Sequence, residues 1–467
     1  MAELTFWGAA GRVTGSCYLI STGRATVLLE CGLVQGSREE EQANSEPFPF
    51  DVEALDAVVL SHAHLDHSGL IPRLVGAGYR GPVYMTSATA DLLEVMLKDA
   101  AFLAERDAEW ENKRRRRAGK PEVSPLYSVD DAEAALAQCE GIAYGARRPV
   151  ADGVEVCFRD AGHILGSAIV ELFVQDRGEE RKLVFSGDLG NSFAALLRDP
   201  EVVREADILL LESTYGDRDH RPMEDTLSEF RDILAAAKDS GGNVLIPAFA
   251  VGRTQEILFR LGELYQAGEL HQPAVFLDSP MAIAATEIYH RYLSVFNKQD
   301  SAQLHRAKSA TLHSFLPILR YSRTTAESMA INRISEGAII MAGSGMCTGG
   351  RIRHHLKHNL WRREAHVMMV GFQAMGTPGR ALVDGARTLS LAGEDIAVNA
   401  TVHTLGGFSA HAGQSQLLAW ADGFGTRRPR LYLVHGEDDK RIALQQQFDA
   451  RFQWPAGLPA YGETVPL

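Results

Sequence analysis

The sequence has few cysteines, and none of them is placed to form a recognisable disulfide or metal motif. There are five in 467 residues, an odd number, and no two are separated by only two residues. A secreted disulfide framework or a zinc ribbon would need close, paired cysteines. We therefore expect five reduced thiols in a cytoplasmic protein.

Long apolar runs are also missing. No stretch approaches the ~18–20 apolar residues that cross a bilayer, and the start Met-Ala-Glu-Leu-Thr-Phe-Trp lacks the pattern of a secretory signal peptide. Hydrophobic residues nevertheless make up 45% of the chain and charged residues 23%, as in ordinary folded proteins. These values exclude extensive disorder and predict two or three domains with no membrane partner.

Basic residues are fewer than acidic residues. Lys and Arg number 47 against 60 Asp and Glu, a net charge of −13. This balance argues against a protein that coats nucleic acid non-specifically, because such binding needs many cations. A nuclease with its positive charge in one cleft, partly supplied by metal, stays open. The basic run at residues 113–117 is either a solvated helix face or a patch that guides RNA.

Two patterns of predicted secondary structure follow one another along the chain. Up to about residue 212, short apolar runs alternate with Gly-rich turns, which indicates stacked mixed sheets. Beyond it, strands alternate with helices of about 10–15 residues, which is typical of a parallel sheet with right-handed crossovers. We therefore predict an α/β domain at residues 213–395, inserted into a layered domain formed by residues 1–212 and 396–467.

The most informative segment is Ser-His-Ala-His-Leu-Asp-His at residues 61–67, directly after a predicted strand. Neutral imidazole together with carboxylate suits zinc and similar divalent ions. In an extended segment His62 and His64 project to the same side, where they can bind one ion. Asp66 and His67 are then free to bind a second ion.

Three residues elsewhere are candidates to complete such a centre. His163 lies in Asp-Ala-Gly-His, Asp188 in Ser-Gly-Asp and His435 in Val-His-Gly-Glu. Each lies beside an apolar strand and near glycine, where a side chain can point into a cleft. Singly each is weak evidence, but their occurrence together with the 61–67 cluster makes them credible ligands.

The order of these motifs resembles a known family. The cluster at residues 62–67, followed by His163 and Asp188, resembles the metallo-β-lactamase hydrolase fold. Segments starting at residues 212 (Glu-Ser-Thr-Tyr-Gly), 408 (Phe-Ser-Ala-His) and 434 (Val-His-Gly-Glu) resemble motifs A, B and C of its β-CASP nuclease branch. That branch includes the endonuclease subunit of the eukaryotic cleavage and polyadenylation factor, together with bacterial and archaeal RNases.

The resemblance covers nearly the whole chain, including Pro-Ala-Phe-Ala-Val-Gly-Arg-Thr-Gln at 247–255 and the glycine-rich segment at 344–351. It implies an α/β protein: a metallo-β-lactamase αββα sandwich with an inserted parallel-sheet β-CASP domain. It also implies two zinc ions per chain. One ion would be held by His62, His64 and His163, and the other by Asp66, His67 and His435. Asp188 and a hydroxide would bridge them.

The same resemblance implies a reaction. The hydroxide would hydrolyse a phosphodiester, leaving a 5′-phosphate and a 3′-OH. His411 would be the general acid, and Glu212 would hold its imidazole in the right tautomer. Histidine at motif C, His435, resembles the RNA-acting members, whereas DNA-acting relatives tend to have valine there. We therefore expect single-stranded RNA as partner and leave a homodimer open.

A further set of residues is expected to contact the RNA. The glycine-rich turn that precedes a helix near Arg351 could cradle a phosphate through backbone N–H groups. The basic candidates have the alternative of an ion pair between domains. The complete set is Arg253, Ser344, Gly345, Gly349, Gly350, Arg351, Arg380 and Ser409.

Two positions depart from the family pattern. Glu30 stands where motif 1 usually has aspartate, and Gly413 follows Ser-Ala-His-Ala where aspartate is usual. Neither change removes an expected ligand, but both affect how the site is positioned. Three alternatives stay open: a DNA-acting β-CASP nuclease, a metallo-β-lactamase-fold hydrolase of a lactam, ester or thioester, and a non-catalytic RNA-binding subunit.

Overall fold

The computed structural model describes residues 2–307, 311–391 and 393–467. They divide into two compact units. The first comprises the chain up to Ser192 together with Asp199–Asp219 and His411–Leu467. The second comprises Phe193–Arg198 and His220–Ala410.

The first unit contains two mixed sheets of seven strands each, counted over the described residues. The strands of the first sheet are β1 (Glu3–Phe6), β2 (Tyr18–Ser21), β3 (Thr26–Leu29), β4 (Ala57–Val59), β5 (Val83–Thr86), β6 (Cys139–Ile142) and β22 (Thr464–Pro466). Their order across the sheet is β22-β1-β2-β3-β4-β5-β6. Pairing is antiparallel from β22 to β3 and parallel from β3 to β6.

The second sheet carries the turns on which three of the seven candidate ligands lie. Its strands are β7 (Arg148–Ala151), β8 (Val154–Asp160), β9 (Ala168–Asp176), β10 (Glu179–Phe185), β11 (Ile208–Glu212), β20 (Arg430–Val434) and β21 (Ala456–Gly457). Their order is β21-β20-β11-β10-β9-β8-β7. Because β10, β11 and β20 are mutually parallel neighbours, the residues that follow them meet at one edge of the sheet.

Helices cover the outer faces of both sheets. They are α1 (Arg38–Glu41), α2 (Leu65–Ser68), α3 (Ile71–Gly76), α4 (Ser87–Arg117), α5 (Val129–Leu136), α14 (Gln414–Ala421) and α15 (Asp438–Phe452), with 3-10 turns at Gln42–Ser45 and Asp422–Phe424. Alternate strand residues such as Leu29, Val170 and Phe185 fill the core between the sheets. Residues of α14 and α15 pack on the second sheet, and α4 packs against β5 and β6. The predicted αββα sandwich is confirmed.

The basic run at the end of α4 is paired with acids. Arg114 and Arg115 form ion pairs with Glu111, and Arg116 forms one with Glu122. All of these groups are exposed or only partly buried. The arrangement favours the solvated helix face over an RNA-guiding patch.

The second unit contains a parallel sheet with helical crossovers. Its strands are β12 (Val244–Pro247), β13 (Ala274–Leu277), β14 (Leu319–Tyr321), β15 (Ala338–Ala342), β16 (His366–Met369) and β19 (Thr401–Thr404). Their order is β14-β13-β15-β12-β16-β19, and every pair is parallel. β17 (Thr388–Leu391) and β18 (Glu394–Ala397) form a separate antiparallel hairpin.

The helices of the second unit alternate with its strands. They are α6 (Met223–Ser240), α7 (Arg253–Gln266), α8 (Pro280–Arg291), α9 (Lys298–Arg306), α10 (Leu312–Phe315), α11 (Thr325–Ile331), α12 (Ile352–Asn359) and α13 (Pro378–Val383), with 3-10 turns at Leu293–Val295 and Gly406–Phe408. The sequence predicts that the inserted domain ends at residue 395. Since β19 pairs with β16, the second unit extends to Ala410. Among the described residues, no helix has both the length and the apolar character that crossing a bilayer requires.

Candidate metal centre

Seven imidazole and carboxylate side chains of the first unit converge where strands of its two sheets end. The turn after β4 carries His62 and His64, and α2 carries Asp66 and His67. The remaining three follow strands of the second sheet: His163 after β8, Asp188 after β10 and His435 after β20. All seven residues that the sequence analysis named as ligands therefore lie in one cluster, in the groups His62–His64–His163–Asp188 and Asp66–His67–His435.

The Asp188 carboxylate lies between these two groups. Its Oδ2 is 3.4 Å from Nε2 of His62 and 3.5 Å from Nε2 of His163. Its Oδ1 is 3.3 Å from Nε2 of His67 and 3.4 Å from Nε2 of His435. Each carboxylate oxygen thus faces a different pair of imidazoles.

The remaining two side chains close each group. Nδ1 of His64 is 3.1 Å from Nε2 of both His62 and His163. Oδ2 of Asp66 is 4.0 Å from Nε2 of His67 and 3.9 Å from Nε2 of His435. Two ligands of one tetrahedral zinc, with bonds of ~2.0–2.1 Å, lie about 3.4 Å apart. The separations around His64 and Asp188 are close to this value, whereas those from Asp66 are longer.

Unsatisfied polar atoms at the centre also fit a metal. Both oxygens of Asp188 and Nε2 of His67 are buried, and none has a hydrogen-bond partner among the described residues. A buried carboxylate without donors is strongly unfavourable unless a cation compensates it. The donor set, imidazole nitrogen with carboxylate oxygen, is the one that zinc and similar ions take. The residues present therefore fit a metal centre.

Burial prepares most of these imidazoles for ligation. It lowers the pKa of His64 to about 4 and that of His435 to about 3, so both are neutral at pH 7. Burial would also lower the pKa of His67, but the negative charges of Asp188, Asp66 and Glu30 raise it well above its usual value. The same negative charges would favour a cation bound among these side chains.

A set of hydrogen bonds behind the ligands fixes their orientation. Buried Glu30 accepts from the backbone N–H of Ser61 at 2.6 Å and from its hydroxyl at 2.8 Å, and it also pairs with Nδ1 of His67. This contact turns Nε2 of His67 towards Asp188. Glu30 thus supports the ligand loop as the sequence analysis expected, with one methylene more than aspartate.

Two serines act in the same way on other ligands. The Ser61 hydroxyl is 2.9 Å from Nδ1 of His62, and the Ser16 hydroxyl is 3.0 Å from Nδ1 of His435. A partner on the second ring nitrogen fixes the tautomer that presents Nε2 to a metal. Neither serine was predicted from the sequence. Ser61 directly precedes the histidine cluster and could have been found, whereas nothing in the sequence links Ser16 to His435.

The backbone around the centre is close-packed and locally strained. Glu30 and His435 adopt left-handed conformations, with φ of 65° and 49°, which cost about 1–2 kcal/mol for each such residue. At Gly190, a Cβ atom would lie 2.0 Å from the Gly162 carbonyl oxygen. Only glycine there lets the turn that carries His163 approach the segment that carries Asp188.

His411 lies beside the metal ligands and faces two carboxylates. Its Nδ1 is 3.5 Å from Oε2 of Glu212 and 3.9 Å from Oδ2 of Asp188. The His411 side chain is 22% exposed, whereas Glu212 is fully buried. Burial would lower the pKa of His411, but the negative charges of Glu212 and Asp188 outweigh it and raise the pKa to about 9.

Backbone contacts hold His411 in this position. Gly190 forms an antiparallel bridge with His411, and the Ala412 N–H donates to the Leu189 carbonyl at 2.8 Å. Oε1 of Glu212 accepts from the Leu189 N–H at 2.7 Å. Glu212 therefore fixes both the imidazole and the chain that follows Asp188.

The residues expected to contact RNA all belong to the second unit. In its glycine-rich loop the Ser344 hydroxyl accepts from the Gly349 N–H at 3.1 Å. Each of the three arginines has an acidic partner within the same unit. Buried Arg253 pairs with Glu256. Arg351 donates to Asp278 at 2.6 Å, and Arg380 donates to Asp384 at 2.9 Å. RNA contact by this set stays a prediction.

Three sequence profiles match the chain in succession. The profile of the Metallo-beta-lactamase superfamily matches residues 10–239. The Beta-Casp domain matches residues 254–382, and the Zn-dependent metallo-hydrolase RNA specificity domain matches residues 395–459.

Relatives similar to the whole chain come from bacteria and archaea. Ribonuclease TTHA0252 of Thermus thermophilus is 41% identical over 462 residues, 99% of each chain. Transcription termination factor FttA of Methanocaldococcus jannaschii is 32% identical over 449 residues, 94% of this chain and 67% of that protein. The RNase J-like protein of the same archaeon is 28% identical over 471 residues, with both chains fully covered.

Solved structures include proteins of similar fold. A protein of unknown function from Enterococcus faecalis V583 matches with a TM-score of 0.55 at 12% sequence identity, over 100% of both chains. At this identity the match concerns the fold alone.

Proposed function

Because the chain belongs to the β-CASP branch of the metallo-β-lactamase superfamily, a branch of metal-dependent nucleases, we propose that it is a zinc-dependent ribonuclease. It would hydrolyse phosphodiester bonds of single-stranded RNA and leave a 5′-phosphate and a 3′-OH. A location in the cytoplasm and a homodimeric state stay predictions.

The position of Asp188 carries the proposal. Its two oxygens face separate imidazole pairs, which suits a carboxylate shared by two ions. In this assignment one zinc would be held by His62, His64 and His163, and the other by Asp66, His67 and His435. When bound, two such ions supply Lewis acidity, which activates water and stabilises negative charge on phosphoryl oxygens.

The remaining chemistry falls to groups of the chain. Departure of a 3′ oxygen as an alkoxide is slow without a proton donor, and a general acid typically contributes about 10²–10⁴-fold. His411 is partly exposed, and carboxylate partners favour its protonated form. We assign the donation of this proton to His411. Glu212 keeps the imidazole oriented and charged.

Three observations favour RNA as the substrate. The profile that matches residues 395–459 is named for RNA specificity, and the relative at 41% identity is named a ribonuclease. His435 at motif C is the residue typical of RNA-acting relatives. In this proposal the loop with Ser344, Gly345, Gly349 and Gly350 contacts phosphates through backbone N–H groups, together with Ser409. The arginines Arg253, Arg351 and Arg380 support or extend these contacts.

The test is a comparison of substrates on the full chain. A 5′-labelled single-stranded RNA, a DNA of matched sequence and a lactam are each incubated with and without a chelator, and Asp188→Asn serves as the inactive control. We expect chelator-sensitive cleavage of the RNA, with 5′-phosphate ends on the downstream products. Cleavage of the lactam alone, or of DNA in preference to RNA, would overturn the proposal.

A further inference from the structure

Three neighbouring loops of the second unit expose apolar side chains although they follow buried strands. The loops at residues 247–252, 343–350 and 370–379 begin at or just after the ends of β12, β15 and β16. These strands are adjacent and parallel, so the three loops meet at the carboxyl edge of the sheet. None of the three segments contains a charged residue.

Three large side chains on this edge are open to solvent. Phe249 is 41% exposed, Phe372 50% and Met375 80%. Exposure of this kind carries a cost, because each apolar side chain left in water forgoes the favourable free energy of burial. Clustered exposed apolar groups mark an interaction site more often than isolated ones do.

Glycines let the Phe249 ring lie close to the two neighbouring loops. A Cβ at Gly345 would lie 2.9 Å from the ring, and one at Gly371 would lie 3.7 Å from it. The side chain of Gln373 ties the same two loops together, since its Nε2 donates to the carbonyls of Gly345 at 2.9 Å and Gly371 at 3.1 Å. The ring thus packs against the glycine backbone of both loops and still remains 41% exposed.

We propose that Phe249, Phe372 and Met375 form a base platform on which nucleobases of single-stranded RNA stack. The inference rests on the proposed ribonuclease function. These three side chains are apolar and uncharged, so they suit the neutral faces of bases, whereas the backbone N–H groups of loop 343–350 are left to contact phosphates. Aromatic side chains bind bases in this way with little sequence preference.

The size of the patch favours bases over a second protein. At about 200 Å² for a whole side chain of this kind, the three exposed portions amount to roughly 350 Å². A stable protein interface needs about 800 Å² from each partner. A few stacked bases need no more than the base platform offers.

The test separates bases from phosphates. The metal-loaded full chain is titrated with a 12-nucleotide oligoadenylate and with an abasic ribose-phosphate chain of equal length. Both are made with phosphorothioate linkages that resist hydrolysis, and their integrity is checked after each titration. We expect the oligoadenylate to bind at least about 10-fold more tightly. Phe249→Ala and Phe372→Ala should each weaken oligoadenylate binding by about 5- to 100-fold and leave the abasic affinity unchanged.

Conservative variants protect the test against misfolding. Phe372→Tyr and Phe249→Trp keep a π face and should retain the preference for bases, whereas Phe249→Leu keeps the apolar contact and should lose it. Trp361→Ala is the matched control, because Trp361 is an aromatic residue of the same unit that is 53% exposed and lies outside the base platform. It should bind both ligands as the unaltered chain does.

Several results would overturn the base platform. They are equal affinity of the unaltered chain for both oligonucleotides, equal weakening of both by the alanine variants, or loss of self-association with RNA affinity unchanged. Cleavage of RNA by the unaltered chain is scored separately. If the chain cleaves RNA but shows no preference for bases, only the base-platform proposal is wrong. If it prefers bases but does not cleave RNA, only the proposed ribonuclease function is wrong.

Discussion

The metal centre of the first unit and the base platform of the second rely on opposite physical properties. The metal centre consists of buried ionisable groups, and hydrogen bonds from residues such as Glu30 and Ser61 hold the ligands in position. The base platform consists of exposed, uncharged side chains supported by glycine backbone. Rigid, desolvated charge suits bond-breaking chemistry, while flat apolar area suits binding. Changes in the first should therefore alter metal content and kcat, and changes in the second should alter Kd.

The largest expected effect comes from the shared carboxylate. Asp188→Asn should lower kcat on RNA by on the order of 10⁴-fold and reduce bound zinc by at least one ion per chain. Elemental analysis and single-turnover cleavage measure both. Asp239→Asn, at an exposed aspartate of the second unit, is the matched control. If Asp188→Asn bound as much zinc as the unaltered chain, Asp188 would not be a shared metal ligand.

His411→Ala sharpens the distinction between ligand and acid. Loss of the proton donor should lower kcat by about 10²–10⁴-fold while zinc content stays that of the unaltered chain. His358→Ala, an exposed histidine on α12, should change neither quantity. A drop in bound zinc in His411→Ala would show that this imidazole is a ligand.

Ser16→Ala tests the hydrogen bonds behind the ligands. Without the hydroxyl that fixes the His435 tautomer, zinc affinity should fall about 10- to 100-fold. At saturating zinc, kcat should stay within a few-fold of the unaltered value. Competition with a chelator of known affinity measures the first quantity. Unchanged zinc affinity would mean that the backbone alone positions His435.

The smallest expected effect is a shift in pH dependence. The negative charge of Glu212 raises the pKa of His411, so Glu212→Gln should lower that pKa. A general acid works only while protonated, and kcat is therefore lost as the pH rises through its pKa. The alkaline limb of the kcat profile should move to lower pH in the variant. If the alkaline limb does not move, Glu212 does not raise the pKa of the proton donor.

The local part of the metal centre could be predicted from sequence, and the long-range part only in outline. Residues 62–67 could be recognised from sequence because four candidate ligands fall within six positions. His163, Asp188 and His435 are each weak evidence singly, and they became candidates only because they occur together with that cluster. Ser16 was missed, since a serine has many uses and its contact with His435 spans 419 positions.

The second unit shows a different limit. Alternating strands and helices predicted its parallel sheet, but β19 was not placed in it because a four-residue strand with partly exposed side chains carries little apolar signal. The acidic partners of Arg253 and Arg351 likewise could not be predicted from the sequence. Glu256 adjoins a family motif, but an acidic residue is common in the first turn of any helix and does not indicate a pair with Arg253. Asp278 lies 73 positions from Arg351. The exposure of Phe249 depends on neighbours that only the fold reveals.

Anomalous scattering from zinc-loaded crystals tests the central claim most directly. The account predicts two zinc peaks flanking Asp188, one within bonding distance of His62, His64 and His163, and the other of Asp66, His67 and His435. A single peak, or either His163 or His435 remote from any ion, would contradict it.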